Sequence, residues 1–195
     1  MDTSLGIFIP TIGRSTLKRA VESIYPQLGD TDELTVIGDG PQPSAQEYID
    51  DIHDPRIIYL EHGPTNHWGG EQLDFGCSRS IRGFFAFCGD DDFMPEGALE
   101  SIRRKISQHP PMPHIFAMMH SGKVLSRSIG AGSVCGQQIV VPNVPDRLAK
   151  WADDVGSTSD WVYITSTLKN WESVGVSFHD DVICILEQMS FGKVI

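Results

Sequence analysis

The feature that most constrains the fold of this chain is an alternation of strand-like and helix-like segments over residues 1–108. Short apolar runs rich in β-branched residues predict strands, and apolar residues spaced three or four apart predict helices. The predicted strands cover residues 5–9, 33–37, 56–60 and 84–89, and the predicted helices cover 16–28, 44–52, 72–82 and 95–106. This order is typical of an α/β fold with a Rossmann-like, mostly parallel sheet and helices on both faces.

The pattern in residues 109–195 is weaker. It predicts strands over residues 114–119, 124–129, 137–141 and 161–164, and helices over 146–151, 166–174 and 180–189. No repeat or linker divides the chain, and 195 residues form one domain of ordinary size. We therefore expect a single domain over residues 1–195.

The charge and cysteine content exclude several classes of protein. The formal net charge of -11 argues against a broad nucleic-acid footprint and against electrostatic attachment to an anionic membrane. No window approaches the roughly 20 apolar residues of a membrane span, and no signal peptide is apparent. The four cysteines lack metal-binding spacing and are typical of a reducing compartment. We expect a cytoplasmic protein without a membrane span.

Three adjacent carboxylates, Asp90, Asp91 and Asp92, follow the predicted strand at residues 84–89. Neighbouring acids repel one another, and a cation between them removes that cost. Carboxylate oxygens at a strand end suit Mg²⁺ or Mn²⁺, which often hold substrate phosphates at the same time. The triplet on its own leaves two interpretations open, a metal site for a phosphorylated ligand and a solvated acidic turn that caps the next helix.

Two further polar segments stand at the ends of predicted strands. Residues 11–14 follow the first strand, and the pair Asp39-Gly40 follows the second. Ligands of open α/β sheets bind at the carboxyl ends of the strands. These two segments and the acidic triplet are therefore expected to converge on one crevice, which favours the metal-site interpretation.

The order of these motifs resembles that of the family 2 inverting glycosyltransferases of the GT-A fold. Residues 7–14 are similar to the opening strand and nucleotide loop of the family, 34–40 to its second strand, and 84–95 to the strand that bears its DXD motif. The resemblance implies one GT-A nucleotide-diphospho-sugar transferase domain. Residues 1–108 would form the half that binds the nucleotide sugar, and residues 109–195 the half that binds the acceptor.

The resemblance also implies roles on the donor side. Asp39 would hydrogen-bond the base of the nucleotide, Asp90 would approach the ribose or the metal, and Asp92 would ligate Mn²⁺ or Mg²⁺. Alternation along an extended backbone would turn Asp91 away. The expected donor is a nucleotide-diphosphate sugar, with UDP as the expected nucleotide, and its candidate binding residues are Pro10, Thr11, Arg14, Asp39, Gly40, Gln72, Asp74, Asp90 and Asp91.

On the acceptor side, the pair Asp180-Asp181 resembles the acidic pair that opens a helix in the family. One of these carboxylates would be the catalytic base, and His179 would be a third metal ligand. The alternatives are that both acids only favour the start of a helix and that His179 is a surface or packing residue. The acceptor would be a glycan, a protein or a small molecule, and a homodimer is possible for an enzyme of this size.

One departure from the family pattern concerns the diphosphate. An Arg-Asn pair of the family is replaced by Leu73-Asp74, so a cation near the diphosphate is missing. Arg14, Arg79 and Arg82 are the candidates to replace it. This departure leaves a catalytically silent nucleotide-sugar or glycan-binding module as an alternative, beside a nucleotidyltransferase on a similar fold.

Overall fold

The computed structural model describes residues 2–65, 69–126, 129–130, 133–153 and 159–186. Within these ranges the chain forms eight strands of one sheet and five α-helices. The strands are β1 Leu5–Thr11, β2 Glu33–Asp39, β3 Ile57–His62, β4 Phe84–Phe87, β5 His114–His120, β6 Lys123–Leu125, β7 Ile139–Pro142 and β8 Ser177–Leu186. The helices are α1 Leu17–Ile24, α2 Pro43–Ile52, α3 Gly70–Cys77, α4 Ala98–Ser107 and α5 Ser159–Asn170.

The strand order is β3-β2-β1-β4-β7-β5-β6, and β8 pairs with β5 in addition. The four strands β3, β2, β1 and β4 are parallel to one another. Strand β7 is antiparallel to both β4 and β5, and β8 is parallel to β5. Six strands therefore run in the same direction, and their carboxyl ends lie along one edge of the sheet.

Both faces of the sheet are buried, as a mostly parallel sheet with helices around it requires. Alternating side chains of β1 separate into two apolar layers. Ile7 and Ile9 belong to the same apolar cluster as the buried sides of α1 and α4, whereas Phe8 belongs to the cluster that contains Leu73 of α3 and Tyr163 of α5. The sheet is thereby anchored from both sides, and the loops at its carboxyl edge are held on a rigid support.

The predicted alternation over residues 1–108 is confirmed, with differences at several element ends. Helix α1 ends at Ile24 rather than at residue 28, β4 ends at Phe87 rather than at residue 89, and α4 begins at Ala98 rather than at residue 95. Helix α3 ends at Cys77 rather than at residue 82. Ile81, which would extend its apolar side, is 83% exposed and has no layer to pack against.

Two predictions in the second half are wrong. Residues 180–189 were predicted as a helix, but their described part belongs to β8 because it pairs with β5 across more than sixty residues of chain. Residues 161–164 were predicted as a strand, but they lie in α5, where Tyr163, Ile164 and Thr167 are buried on one side.

Elsewhere in this half the differences concern bounds and the type of one short helix. Residues 145–147 and 151–153 form short 3₁₀ turns rather than one helix, and α5 takes up only the first part of the helix predicted at 166–174. A third 3₁₀ turn, Gly136–Gln138, precedes β7, and β6 ends at Leu125. Residues 127 and 128 of the strand predicted at 124–129 lie outside the described residues, as does Gly192.

Two histidines meet at the amino ends of β5 and β8. His114 Nδ1 lies 2.9 Å from His179 Nε2, and their rings stack at a centroid distance of 5.2 Å. Burial lowers the pKa of His114 to about 3, with the neighbouring His179 and His109 as further causes. Burial likewise lowers the pKa of His179 to about 4, with Lys105 as the next cause. Both rings are therefore neutral near pH 7.

This pair predicts a loss of stability in mild acid. Below the ordinary histidine pKa of 6.5, His114 binds a proton in the unfolded chain but stays neutral in the folded protein. The free energy of unfolding therefore decreases as the pH falls. His114 alone is expected to remove about 2 kcal/mol between pH 6.5 and pH 5. The measurement is urea unfolding at both pH values for the native chain and for His114→Gln, which should lose part of this pH dependence.

The control is His120→Gln, which removes an exposed histidine at the other end of β5. It should leave the pH dependence unchanged. The comparison between variants is needed because burial raises the pKa of Asp92 to about 7, and this carboxyl group stabilises the fold as the pH falls. Equal pH dependence in the native chain and in His114→Gln would contradict the prediction.

Candidate active site

A cavity of about 680 Å³ opens at the carboxyl ends of β1, β2 and β4. It lies at the position where the sequence predicts that the polar segments converge. The sequence candidates that line it are Pro10, Thr11, Arg14, Asp39, Gln72, Asp90 and Asp91. Its other described lining residues include Thr65, Gly69, Phe87, Gly136, Gln137, Trp151, Ser159 and Asp160. A volume of this size suits a small-molecule ligand.

One end of the cavity is built around Asp39, the last residue of β2. Its Oδ1 accepts hydrogen bonds from the Thr65 backbone N–H at 2.5 Å and from Gln72 Nε2 at 2.8 Å. Gln72 lies in the first turn of α3 and is fully buried. Gly40 does not line the cavity; it has a φ of 72° and turns the chain directly after Asp39. The carboxylate of Asp39 is thus held in a fixed position, and its oxygen atoms can accept further hydrogen bonds.

The carboxylate of Asp74 forms its hydrogen bonds outside the cavity. Its Oδ1 accepts a hydrogen bond from the Trp151 backbone N–H at 2.9 Å, and its Oδ2 accepts one from Ala152 at 3.0 Å. A carboxylate suits these two donors because it only accepts hydrogen bonds. The structure therefore places Asp74 where it joins α3 to the turn that carries Trp151, away from the donor-binding position expected for it.

The acidic triplet lies in a tight turn rather than on an extended strand. The Asp92 backbone N–H donates to the Gly89 carbonyl at 3.3 Å. A Cβ atom on Gly89 would lie only 2.6 Å from Asp92 Oδ2, so the turn requires glycine there. Because the chain turns, strand alternation does not apply. Asp90 and Asp91 line the cavity, which corrects the expectation that Asp91 points away.

A single guanidinium contacts two of the acids. Arg14 Nη1 lies 2.7 Å from Asp90 Oδ1 and 3.4 Å from Asp91 Oδ2. Thr11 Oγ1 donates to the other oxygen of Asp90 at 2.7 Å. Arg19 Nη2 supports the turn by donating to the Asp91 backbone carbonyl at 2.9 Å. A positive charge is thus already placed between these carboxylates.

Asp92 has a different environment. Its Oδ2 accepts a hydrogen bond from Gln137 Nε2 at 2.9 Å, and the residue is buried behind the cavity lining. Burial raises the pKa of Asp92 to about 7, and the negative charge of Asp91 raises it further, whereas the Gln137 hydrogen bond lowers it. Asp92, which is expected to be the main metal ligand, therefore contacts Gln137 instead.

Asp90 and Asp91 can hold a divalent cation whose other ligands are water and substrate phosphates. In the described ranges, no group of three or more His, Cys, Asp or Glu residues is arranged to hold a metal ion. Asp90 and Asp91 supply two carboxylates at the cavity wall, and their contacts with Arg14 show that this wall accepts a positive charge. Mg²⁺ typically uses one or two carboxylates together with water and substrate phosphates.

The other acceptor-side candidates do not lie in this cavity. His179 is the third residue of β8 and contacts His114 at the amino end of β5, away from the carboxyl edge. Asp181 accepts hydrogen bonds from Ser101 at 3.1 Å and from Arg104 at 2.9 Å, both on α4. Asp180, beside it, is exposed. The physical reason is that this segment forms a strand with an irregular register, not a helix that opens at the site.

The structure brings another carboxylate, Asp160, to the cavity wall. It lies in the first turn of α5, next to the Gly136–Gln138 turn. Burial raises the pKa of Asp160, although the Gly136 backbone N–H lowers it by hydrogen bonding. The sequence signal for this residue is Ser159-Asp160 followed by apolar residues at helical spacing, which the strand prediction at 161–164 concealed.

An aromatic stack holds this wall in place. The Trp151 and Tyr163 rings stack with centroids 3.7 Å apart and planes at 10°, and Phe87 meets Trp151 edge-on at 4.9 Å. Such contacts fix the positions of large rings. The end of β4, the Trp151 turn and the start of α5 are thereby tied together, so Asp160 and the acids after β4 share one rigid frame.

The structure distinguishes among the three candidate arginines. Arg82 pairs with Glu33 at 3.2 Å, and the Arg79 guanidinium lies 3.7 Å from the centroid of the Phe75 ring. Neither lines the cavity. Among the described lining residues, Arg14 is the one cationic side chain.

Comparison with known proteins agrees with this fold. Residues 6–128 match the model of the family described as glycosyl transferase family 2. The chain is similar in structure to residues 1–349 of TarS from S. aureus, with a TM-score of 0.76 and 11% identity over 94% of this chain and 60% of that one. No curated protein matches the chain in sequence.

Two further TarS structures contain ligands. The complex of TarS 1–349 with UDP matches at a TM-score of 0.73 and 12% identity, over 93% of this chain and 60% of that one. The complex with UDP-GlcNAc matches at 0.75 and 12% identity, over 97% and 60%. The chain thus spans 60% of the TarS segment that it matches. Among the described residues, no helix has both the length and the hydrophobicity to cross a membrane.

Proposed function

Because this chain belongs to glycosyl transferase family 2 and has a GT-A-type fold, we propose that it transfers a sugar from a nucleotide-diphosphate donor to an acceptor hydroxyl. The observation that carries the proposal is one cavity whose walls hold Asp39, the Asp90-Asp91 pair and Asp160. Asp39 suits the binding of a nucleoside, and the Asp90-Asp91 pair suits a diphosphate with its cation. Asp160 suits the role of proton acceptor. We further propose that the two halves, residues 1–108 and 109–195, form one domain around this cavity.

On the donor side, Asp39 and Gln72 bind the base. Asp39 accepts hydrogen bonds from Gln72 and Thr65, and its remaining lone pairs can accept an N–H of a base. The complexes of TarS with UDP and UDP-GlcNAc support a UDP-sugar as the donor. We assign this end of the cavity to the nucleoside.

The diphosphate lies next to Asp90 and Asp91 in this proposal. These two residues would hold Mn²⁺ or Mg²⁺, and such a cation supplies stabilisation of the negative charge that develops on the leaving diphosphate. Thr11 and Arg14 both contact Asp90 and orient its carboxylate. Asp92 stays with Gln137 and supports the turn.

On the acceptor side, Asp160 is the proposed base. The acceptor oxygen forms a bond to the anomeric carbon while the bond from that carbon to the diphosphate oxygen breaks, and the hydroxyl proton passes to Asp160. A single displacement of this kind inverts the anomeric centre. A carboxylate whose pKa is raised by burial binds the proton more readily than an exposed one. The acceptor is a glycan, a protein or a small molecule.

Donor hydrolysis tests the proposed function. The protein is incubated with a panel of nucleotide sugars and Mn²⁺ or Mg²⁺, and the released nucleoside diphosphate is assayed. Release is expected with UDP-sugars, and Asp90→Asn should reduce it because this variant removes the carboxylate that Thr11 and Arg14 orient. Asp50→Asn is the control, since it changes an exposed carboxylate on α2.

The other outcomes identify the alternatives. Nucleotide binding without turnover of any donor would support a catalytically silent binding module. Release of inorganic pyrophosphate from a nucleoside triphosphate and a sugar phosphate would support a nucleotidyltransferase.

A further inference from the structure

We propose that Arg14 is a switching cation, which neutralises Asp90 and Asp91 in the donor-free protein and contacts the diphosphate once donor and divalent cation bind. This inference rests on the proposed function, because it names the cation that serves the same cavity. It also accounts for the chain having Leu73-Asp74 where an arginine of the family is expected.

The position of Arg14 is defined by its contacts with two carboxylates. One nitrogen, Nη1, approaches Asp90 at 2.7 Å and Asp91 at 3.4 Å. The two carboxylates that would hold the divalent cation are thus the ones that the guanidinium contacts. A dication and Arg14 would compete for the same oxygen atoms.

The surroundings of Arg14 leave room for movement. Its side chain is 36% exposed, whereas that of Asp90 is 4% exposed. Arg14 lines the 680 Å³ cavity and also a neighbouring cavity of about 370 Å³ between the starts of α1 and α2. The carboxylate is therefore fixed, and the guanidinium is the partner with space on both sides.

Charge balance favours the movement. Two carboxylates and one guanidinium sum to a charge of about −1, whereas two carboxylates and a dication sum to about zero. A bound diphosphate then adds negative charge beside a neutral cluster. Arg14 is the one cationic side chain among the described lining residues, and a guanidinium suits phosphate oxygens well.

The first measurement is Mn²⁺ binding in the absence of donor. The EPR signal of free Mn²⁺ reports how much of the ion is bound. Arg14→Gln removes the competing charge, so its Mn²⁺ affinity is expected to rise about 10-fold. Lys18→Gln is the matched control. It removes an equal charge one turn away, where Lys18 pairs with Glu22 at 3.8 Å, and it should leave Mn²⁺ affinity unchanged.

The second measurement compares UDP with uridine, in the presence of Mn²⁺, by calorimetry. Arg14→Gln is expected to weaken UDP binding about 10- to 100-fold. It should leave uridine binding unchanged, because uridine has no diphosphate. Arg14→Lys keeps the charge but loses the planar fork, so it should restore part of the UDP affinity.

The outcomes separate this inference from the proposed function. UDP binding by the native protein, with unchanged Mn²⁺ and UDP affinities in Arg14→Gln, overturns the role of Arg14 and leaves the function standing. Failure of the native protein to bind UDP or any other nucleoside diphosphate argues against the function. In that case a rise in Mn²⁺ affinity in Arg14→Gln still supports competition for the acids, and no rise refutes it.

Discussion

Asp160→Asn is expected to lower the rate of sugar transfer by about 10²- to 10⁴-fold, the usual contribution of a positioned general base. The amide keeps the size of the side chain and an oxygen that can accept the Gly136 N–H, but it cannot take the acceptor proton. Because the proposed role of Asp160 is to accept the proton of the acceptor hydroxyl and not to bind the nucleotide, UDP affinity should stay unchanged. Transfer kinetics and UDP calorimetry on one preparation measure both quantities.

The pH profile provides a separate check on Asp160. A base must be ionised to act, so the transfer rate should fall as the pH drops through its pKa. Burial raises this pKa, which places the acidic limb of the profile above the ordinary carboxylate value of 3.8. Asp160→Asn should lose that limb.

The sequence-based candidates supply the controls. Asp180→Asn and Asp181→Asn should retain transfer, because neither side chain lines the cavity. Asp181→Asn should cost a little stability, since it weakens the contacts with Arg104 and Lys105. Full transfer by Asp160→Asn, or loss of transfer in Asp180→Asn with UDP binding intact, would refute the assignment of the base.

Asp91→Asn is expected to lower transfer by about 10²- to 10³-fold by weakening the charge stabilisation of the leaving diphosphate. Asp91 lines the cavity with its side chain 25% exposed, so it can reach a cation bound there. Asp92→Asn should cost less, because Asp92 is buried against Gln137. Transfer assays of both variants at several Mn²⁺ concentrations measure this order.

Metal removal tests the same site in the native protein. EDTA should abolish transfer, and added Mn²⁺ or Mg²⁺ should restore it. Activity that persists in EDTA would contradict the need for a divalent cation. A larger loss in Asp92→Asn than in Asp91→Asn would show that Asp92 leaves Gln137 to bind the cation, as the resemblance to the family implies.

Much of the proposed donor side can be predicted from the sequence. Thr11, Arg14 and Asp39 stand directly after apolar runs, and parallel strands bring such residues to one edge. The structure places all three in one cavity. Local patterns sufficed here because strand ends are marked by nearby residues.

The acceptor side shows the opposite case. Residues 180–186 have a pattern that fits a helix, yet they form β8 because β5 offers a free edge to pair with. Asp160 was missed because residues 161–164 are β-rich, although they bury one side of a helix against Trp151. Pairing and packing with distant segments decided both elements.

The sequence by itself determined the order of strands and helices in the first half and the presence of acids at the strand ends. Both depend on periodicity and turn residues within a short window. Only the tertiary structure decided that Asp91 faces the cavity, that Asp92 faces Gln137, and that Asp160 rather than Asp181 shares the cavity with them. The direction of a side chain in a turn, and the partner of a strand, depend on contacts between residues far apart in the chain.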